Sequence, residues 1–207
     1  MQTNYRPALE LAQKALLALD PLAVAERSGA ELLQGADSRE FRLTLLGRRY
    51  RIPIPEALVH DAATGAEAGT SNTLMILHYL VDAGGSPVTH QWIPFRGVPG
   101  GNIYERAFRQ QCLDPLVATF GPSPDALAPA AEALGGTRTT IGDISYTFQA
   151  LPHLPMACVL WRADEEQPAE VSLLFDAVAP HYLPTEDLAA LGRALTFGLI
   201  RQRERKP

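Results

Sequence analysis

Apolar residues recur at helical spacing from Pro7 to Leu19, where Leu9, Ala12, Leu16 and Leu19 fall on one face. Asp20-Pro21 stops that segment and predicts a second helix, with Asp20 as its N-cap and Pro21 at the first helical position. Its end falls at Ser28-Gly29, where glycine takes the left-handed cap conformation without a Cβ penalty. From Glu40 to Ile54 the period changes to two. EFRLTLL and RYRIPIP predict a β-hairpin around Gly47-Arg48. Pro53 and Pro55 cannot donate to a ladder, so the second strand lies at an edge or stops there. The small, polar stretch DAATGAEAGTSN predicts a loop. Ser71 or Asn72 then caps a helix from Thr73 to Asp82, closed by Gly84-Gly85. Nearly every side of LMILHYL is apolar, so this helix is expected to be mostly buried.

A short strand, Trp92 to Phe95, leads through a glycine-rich turn into a long helix. Asn102 and Glu105 have the spacing of a capping box, and Asp114-Pro115 is expected to kink or divide the helix. Pro124 to Leu134 predicts a shorter helix closed by Gly135-Gly136. Three strands follow. ISYTFQA alternates, with Ile144, Tyr146 and Phe148 on one face and Ser145, Thr147 and Gln149 on the other; MACVLW is apolar on both faces, as in a central strand; VSLLFD is the third. Thr185 caps a last helix with Glu186 and Asp187 in its first turn and RQRERK at its end, charges that complement the helix dipole. Strands arrive in clusters instead of alternating singly with helices. The expectation is one α+β domain over residues 1–207: a mostly antiparallel sheet with a C-terminal three-strand meander, packed by several helices.

Composition narrows the function classes. With 207 residues, 46% hydrophobic and 20% charged, the chain reads as a soluble globular protein able to bury about 70% of its unfolded surface. The net charge of −5 argues against nucleic acid as a main partner, because that affinity leans on cationic side chains. Cys112 and Cys158 have no CxxC spacing, cannot alone hold a zinc or iron–sulfur site, and read as core thiols. No apolar run approaches the ~20 residues that span a bilayer, and the first twenty residues lack the plan of a signal peptide, so the expected location is cytoplasmic. No GxSxG is present. His78, inside an apolar helix, reads as a hydrogen-bonded core histidine, and Trp92 and Trp161 as core aromatics or pocket walls.

Two constellations carry candidate chemistry. FRGVPGGNIYERAFR sets Arg96 and Gly97, Gly100 and Gly101 before a helix start, with Asn102 at the cap position and Arg106 and Arg109 on the helix. Free backbone N–H groups and the positive dipole end would favour a small anion there, although the pattern is neither GxGxxG nor a Walker loop. The alternative is a tight turn that needs glycine for local reasons. His153, Asp176 and His181 bracket neighbouring strands and offer a candidate metal set for a metal-dependent enzyme. The alternative is two polar histidines on proline-bracketed loops. The acidic knot Asp164-Glu165-Glu166 is expected at the far end of the same strands, roughly 20 Å from His153 at strand rise, as a solvent-facing connection.

FRGVPGGNIYERAF, ALGGTRTTIGDISYTFQALPHLPMACVLWRADEE and LLFDAVAPHYLPTEDLAALG together resemble the domain-of-unknown-function family 3786, bacterial and archaeal proteins of which many come from anaerobes. The likeness covers most of the chain, is strongest from Phe95 onward and includes AERSGAEL near the N-terminus. The family pattern has PGG before a helix, a GD turn, LP-x-LP, W-x-x-DEE and LFD…YLP-[TS]-ED. Gln167 departs from it, standing where relatives usually have Phe after DEE. The resemblance implies no particular reaction. Some relatives are fused to a small four-cysteine iron–sulfur domain of the type found in corrinoid proteins, which implies a role beside anaerobic redox or one-carbon metabolism. Two further expectations follow: an accessory module for a small anionic ligand or cofactor, or an interaction partner of an iron–sulfur or corrinoid protein.

Overall fold

A computed structural model describes residues 5–35 and 38–205; Lys206, the last basic residue of RQRERK, and the first four residues lie outside them. The fold is α+β, with two antiparallel sheets of four and five strands. Where the sequence reads as one domain over 1–207, the contacts group into two compact units. The first runs to Pro87 and takes in two short later segments, Leu151–His153 and His181–Leu183. The second comprises Val88–Ala150, Leu154–Pro180 and the chain from Pro184 on.

In the first unit, α1 (Arg6–Leu17) and α2 (Pro21–Ser28) pack on α3 (Thr70–Asp82). The α2 ends follow the local chemistry. An Asp20 carboxylate oxygen accepts the Ala23 N–H at 3.2 Å, and Gly29 caps the C-terminus at φ 67°. The sheet runs β1 (Glu31–Gln34), β2 (Arg39–Leu45), β3 (Arg48–Ile54), β4 (His60–Asp61), in that order. Phe41 pairs with Ile52 and Leu43 with Tyr50, and all four are buried, so the alternation sets the register. The hairpin turns at Leu46-Gly47, both with positive φ, one residue earlier than the sequence suggests. β4 covers only Tyr50 and Arg51 of β3, so Pro53 lies beyond that pairing. α3 starts at Thr70, ahead of the expected Ser71 or Asn72, with Gly69 at its cap. Its Met75, Ile76, Leu77, Tyr79 and Leu80 are fully buried.

The second unit orders its strands β5 (Trp92–Pro94), β9 (Glu170–Asp176), β8 (Leu154–Trp161), β7 (Ile144–Leu151), β6 (Thr137–Thr139). The C-terminal meander is therefore β7, β8 and β9, with β8 in the centre and Met156 to Leu160 buried throughout. α4 (Gly101–Phe108), a π-helical turn (Arg109–Leu113) and α5 (Asp114–Phe120) make one continuous run. Pro115 cannot donate to the carbonyl four residues back and would collide with it; the wider π turn stands directly before it. α6 (Leu127–Ala133) and α7 (Thr185–Glu204) complete the unit, and α6, α5 and the π turn pack on α7. Thr185 is the first helical residue, preceded by Pro184 at the cap, and its hydroxyl donates to the Pro99 carbonyl. Asp164-Glu165-Glu166 connects β8 to β9. The Asp164 carboxylate accepts the Glu166 and Gln167 amides, both at 2.8 Å, which holds its pKa below the usual carboxylate value and makes the knot an exposed Asx turn.

Candidate functional site

The glycine turn is built on three aromatic rings of the second unit. Phe95, in the 3₁₀ turn Phe95–Gly97, stacks on Phe108 of α4 at 4.1 Å and 7°. Both rings tilt against Phe175 of β9 at 6.2 Å. Such a pair contributes about 0.5–1.5 kcal/mol beyond its burial. Between the two anchored rings the chain reverses through Gly100, at φ 73°, where a side chain would be strained. Gly101 is glycine for another reason: a Cβ there would stand 2.0 Å from the Phe95 carbonyl oxygen and 2.8 Å from Val98 Cγ2. The Gly101 amide donates to Val98 at 2.9 Å and the Ile103 amide to Gly100 at 3.1 Å. Local packing thus accounts for both glycines.

The expected capping role of Asn102 differs in the structure. Gly100 occupies the cap, Asn102 lies inside the first turn, and α4 has no side-chain cap bond. A capping box needs an extended residue at the cap, and the left-handed backbone at Gly100 puts the cap two residues ahead of Asn102. Arg96 before this uncapped N-terminus, Arg106 on α4 and Arg109 in the π turn are all exposed. Arg96 lies 3.9 Å from Glu105 and Arg109 lies 3.4 Å from Asp114. Exposed pairs of this kind are worth about 0–1 kcal/mol, so they do not commit either arginine.

The three residues of the candidate metal set are differently employed. Asp176, in the second unit, is fully buried. It accepts the Thr89 hydroxyl at 2.6 Å, the His90 amide at 2.6 Å, the Val178 amide at 2.9 Å and the Thr89 amide at 3.1 Å. Burial alone would push this carboxyl up; the donors outweigh it and hold its pKa below the ordinary aspartate value. His153 and His181 both belong to the first unit. The His153 ring lies against bare Gly29, whose Cβ, if present, would stand 2.5 Å from Nε2, and is tilted 47° to the Tyr182 ring at 5.8 Å. Its amide donates to the Tyr79 hydroxyl at 3.0 Å, and that hydroxyl donates to the Ser28 carbonyl at 2.7 Å. His181 Nδ1 is 2.8 Å from the Ser86 hydroxyl oxygen. Among the described residues, no group of three or more His, Cys, Asp and Glu could hold a metal ion.

Several partners have no signal in the sequence. Thr89 meets Asp176 across 87 positions, and Ser86 meets His181 across 95, separations at which no local pattern operates. Both cysteines are buried and free, and burial pushes each thiol up to about 12, so neither is a nucleophile near neutral pH. Among the described residues no helix is long and apolar enough to cross a membrane.

Comparison with curated proteins and with solved structures finds no match for the chain. A family model does match, over residues 20–197, from the cap of α2 to the last third of α7. It spans both sheets, the glycine turn and the meander, so the chain belongs to the family described as Domain of unknown function (DUF3786).

Proposed function

We propose that the protein is an accessory module that binds a small anionic ligand or cofactor at the turn Arg96–Asn102, with Arg106 of α4 and Arg109 of the π turn supplying further positive charge. The observation that carries this reading is the α4 N-terminus. It opens without a side-chain cap, on a rigidly seated glycine turn, with exposed Arg96 before it and exposed Arg106 and Arg109 further along the run, in a chain of net charge −5. A helix terminus contributes only about 0.3–1 kcal/mol to an exposed anion, so the arginines must carry most of the affinity. The setting beside anaerobic redox or one-carbon metabolism is part of the same proposal and rests on the resemblance to relatives fused to an iron–sulfur domain.

Titration calorimetry with inorganic pyrophosphate tests the site. Saturable binding is expected, weakened at least tenfold in Arg96→Ala, which corresponds to about 1.4 kcal/mol. Binding that is unchanged in the double variant Arg96→Ala/Arg106→Ala, or no saturable heat at all, refutes it.

A further inference from the structure

The first unit gathers a second set of hydrogen-bond donors, none of which serves the α4 turn. Among the described residues, Nε of Arg27 is the buried side-chain polar atom left without a hydrogen-bond partner. Folded proteins seldom enclose an N–H in this way, so the group calls for an acceptor that its own neighbours do not supply. Arg27 stands in the last turn of α2, and its stem lies against Gly85, where a Cβ would be 3.3 Å from the Arg27 Cγ. His181 lies against Gly84, whose Cβ would be 3.0 Å from the His181 carbonyl oxygen; the Gly84 amide donates to that oxygen at 2.9 Å. The two glycines keep this turn bare, and the next residue, Ser86, is the hydroxyl partner of His181. His153 sits on Gly29, two residues beyond Arg27.

The chemistry of these groups is one-sided. If the Ser86 hydroxyl donates to His181 Nδ1, the imidazole carries its proton on Nε2; if the imidazole donates instead, the hydroxyl proton is free to point elsewhere. Either arrangement leaves one donor of the Ser86–His181 pair uncommitted, and Ser86 follows Gly85, the glycine against the Arg27 stem. Arg27, His153 and His181 take part in none of the ion pairs among the described residues. A guanidinium, two imidazoles and a hydroxyl with no carboxylate on them suit a tetrahedral oxyanion, which accepts donors from several directions. We infer that the Gly84–Ser86 turn, with Arg27, His153 and His181 around it, binds a small oxyanion of the phosphate class.

The test uses the full chain carrying Arg96→Ala, so that the α4 turn does not contribute and its failure stays separate. Inorganic phosphate is titrated while the arginine Nε–H resonances are followed in a nitrogen-15 spectrum, with Arg27→Lys assigning the signal. Saturable movement of the Arg27 signal is expected, together with at least a tenfold loss of affinity in Arg27→Met, which keeps the stem on Gly85, and a smaller loss in Ser86→Ala. A signal that phosphate leaves unmoved overturns the proposal, and so does an Arg27→Met protein that binds as tightly. Should Arg27→Met not fold, the titration of the unsubstituted Arg27 signal decides alone.

Discussion

Asp176 shows how far one residue's role can lie from its appearance in the sequence. An aspartate between two histidine-bearing loops suggests a ligand, yet its oxygens are saturated by Thr89, His90 and Val178. Its function is to fasten the loop before β5, including His90, whose φ of 57° is unusual outside glycine. Asp176→Asn removes the charge and turns an NH2 donor toward amide donors, and is expected to lower stability by about 2–3 kcal/mol. The pH dependence has a definite sign. The folded pKa lies below 3.8, so the stabilisation is fully present above that value and is lost as pH falls through the folded pKa. The gap in urea midpoints between wild type and Asp176→Asn should therefore narrow as pH falls from 6 toward 2. A constant gap across that range would show that the charge is not what matters.

At the scale of elements, Gly101 is the position where the site depends most on packing. Gly101→Ala forces a methyl into the Phe95 carbonyl, which must retreat and break the Phe95–Phe108 stack. Overpacking of this kind typically costs about 1–3 kcal/mol. The thermal midpoint should fall accordingly, whereas Gly100→Ala, with open space around its Cβ and only the φ strain, should cost about 1 kcal/mol. Equal losses at the two positions would contradict this account. What the sequence made legible follows the same division between local and distant causes. The α2 caps, the β2–β3 hairpin and the β7–β8–β9 meander depend on neighbours within a few residues, and their periods and turn residues announce them. β1, β4 and β6, of four, two and three residues, exist only because a longer partner strand pairs with them, and nothing within so short a segment signals that. The arginines and glycines of the α4 turn were legible as a group. Its true cap was not, because the left-handed Gly100 is set by the aromatic anchors on either side. The Gly84-Gly85 closure was legible too, but its packing against Arg27 and His181 was not, because both reach it from remote parts of the chain.

For the whole molecule, the division into two units assigns six late residues to the first. Tyr182 is fully buried, stacks on Tyr79 at 5.6 Å and donates to the Ser86 carbonyl, while His153 closes the Tyr79 hydroxyl chain. A fragment ending at Pro87 loses every one of these contacts and leaves Tyr79 without the stacking ring it has in the intact chain. It is expected to lack cooperative thermal unfolding and to show few protected amides in hydrogen exchange, while the full chain shows both. A well-protected, cooperatively melting fragment would mean that the late segments decorate the first unit without completing it.

That arrangement has a consequence during synthesis. The N-terminal unit is the first to leave the ribosome, but its stacking partner for Tyr79 is encoded 95 positions beyond Pro87, at Tyr182. At translation rates of roughly 5–20 residues per second the early chain waits about 5–20 s for it. During that interval Met75, Ile76 and Leu80 belong to a nascent chain whose N-terminal half is still incomplete, and trigger-type holding chaperones have that long to engage it.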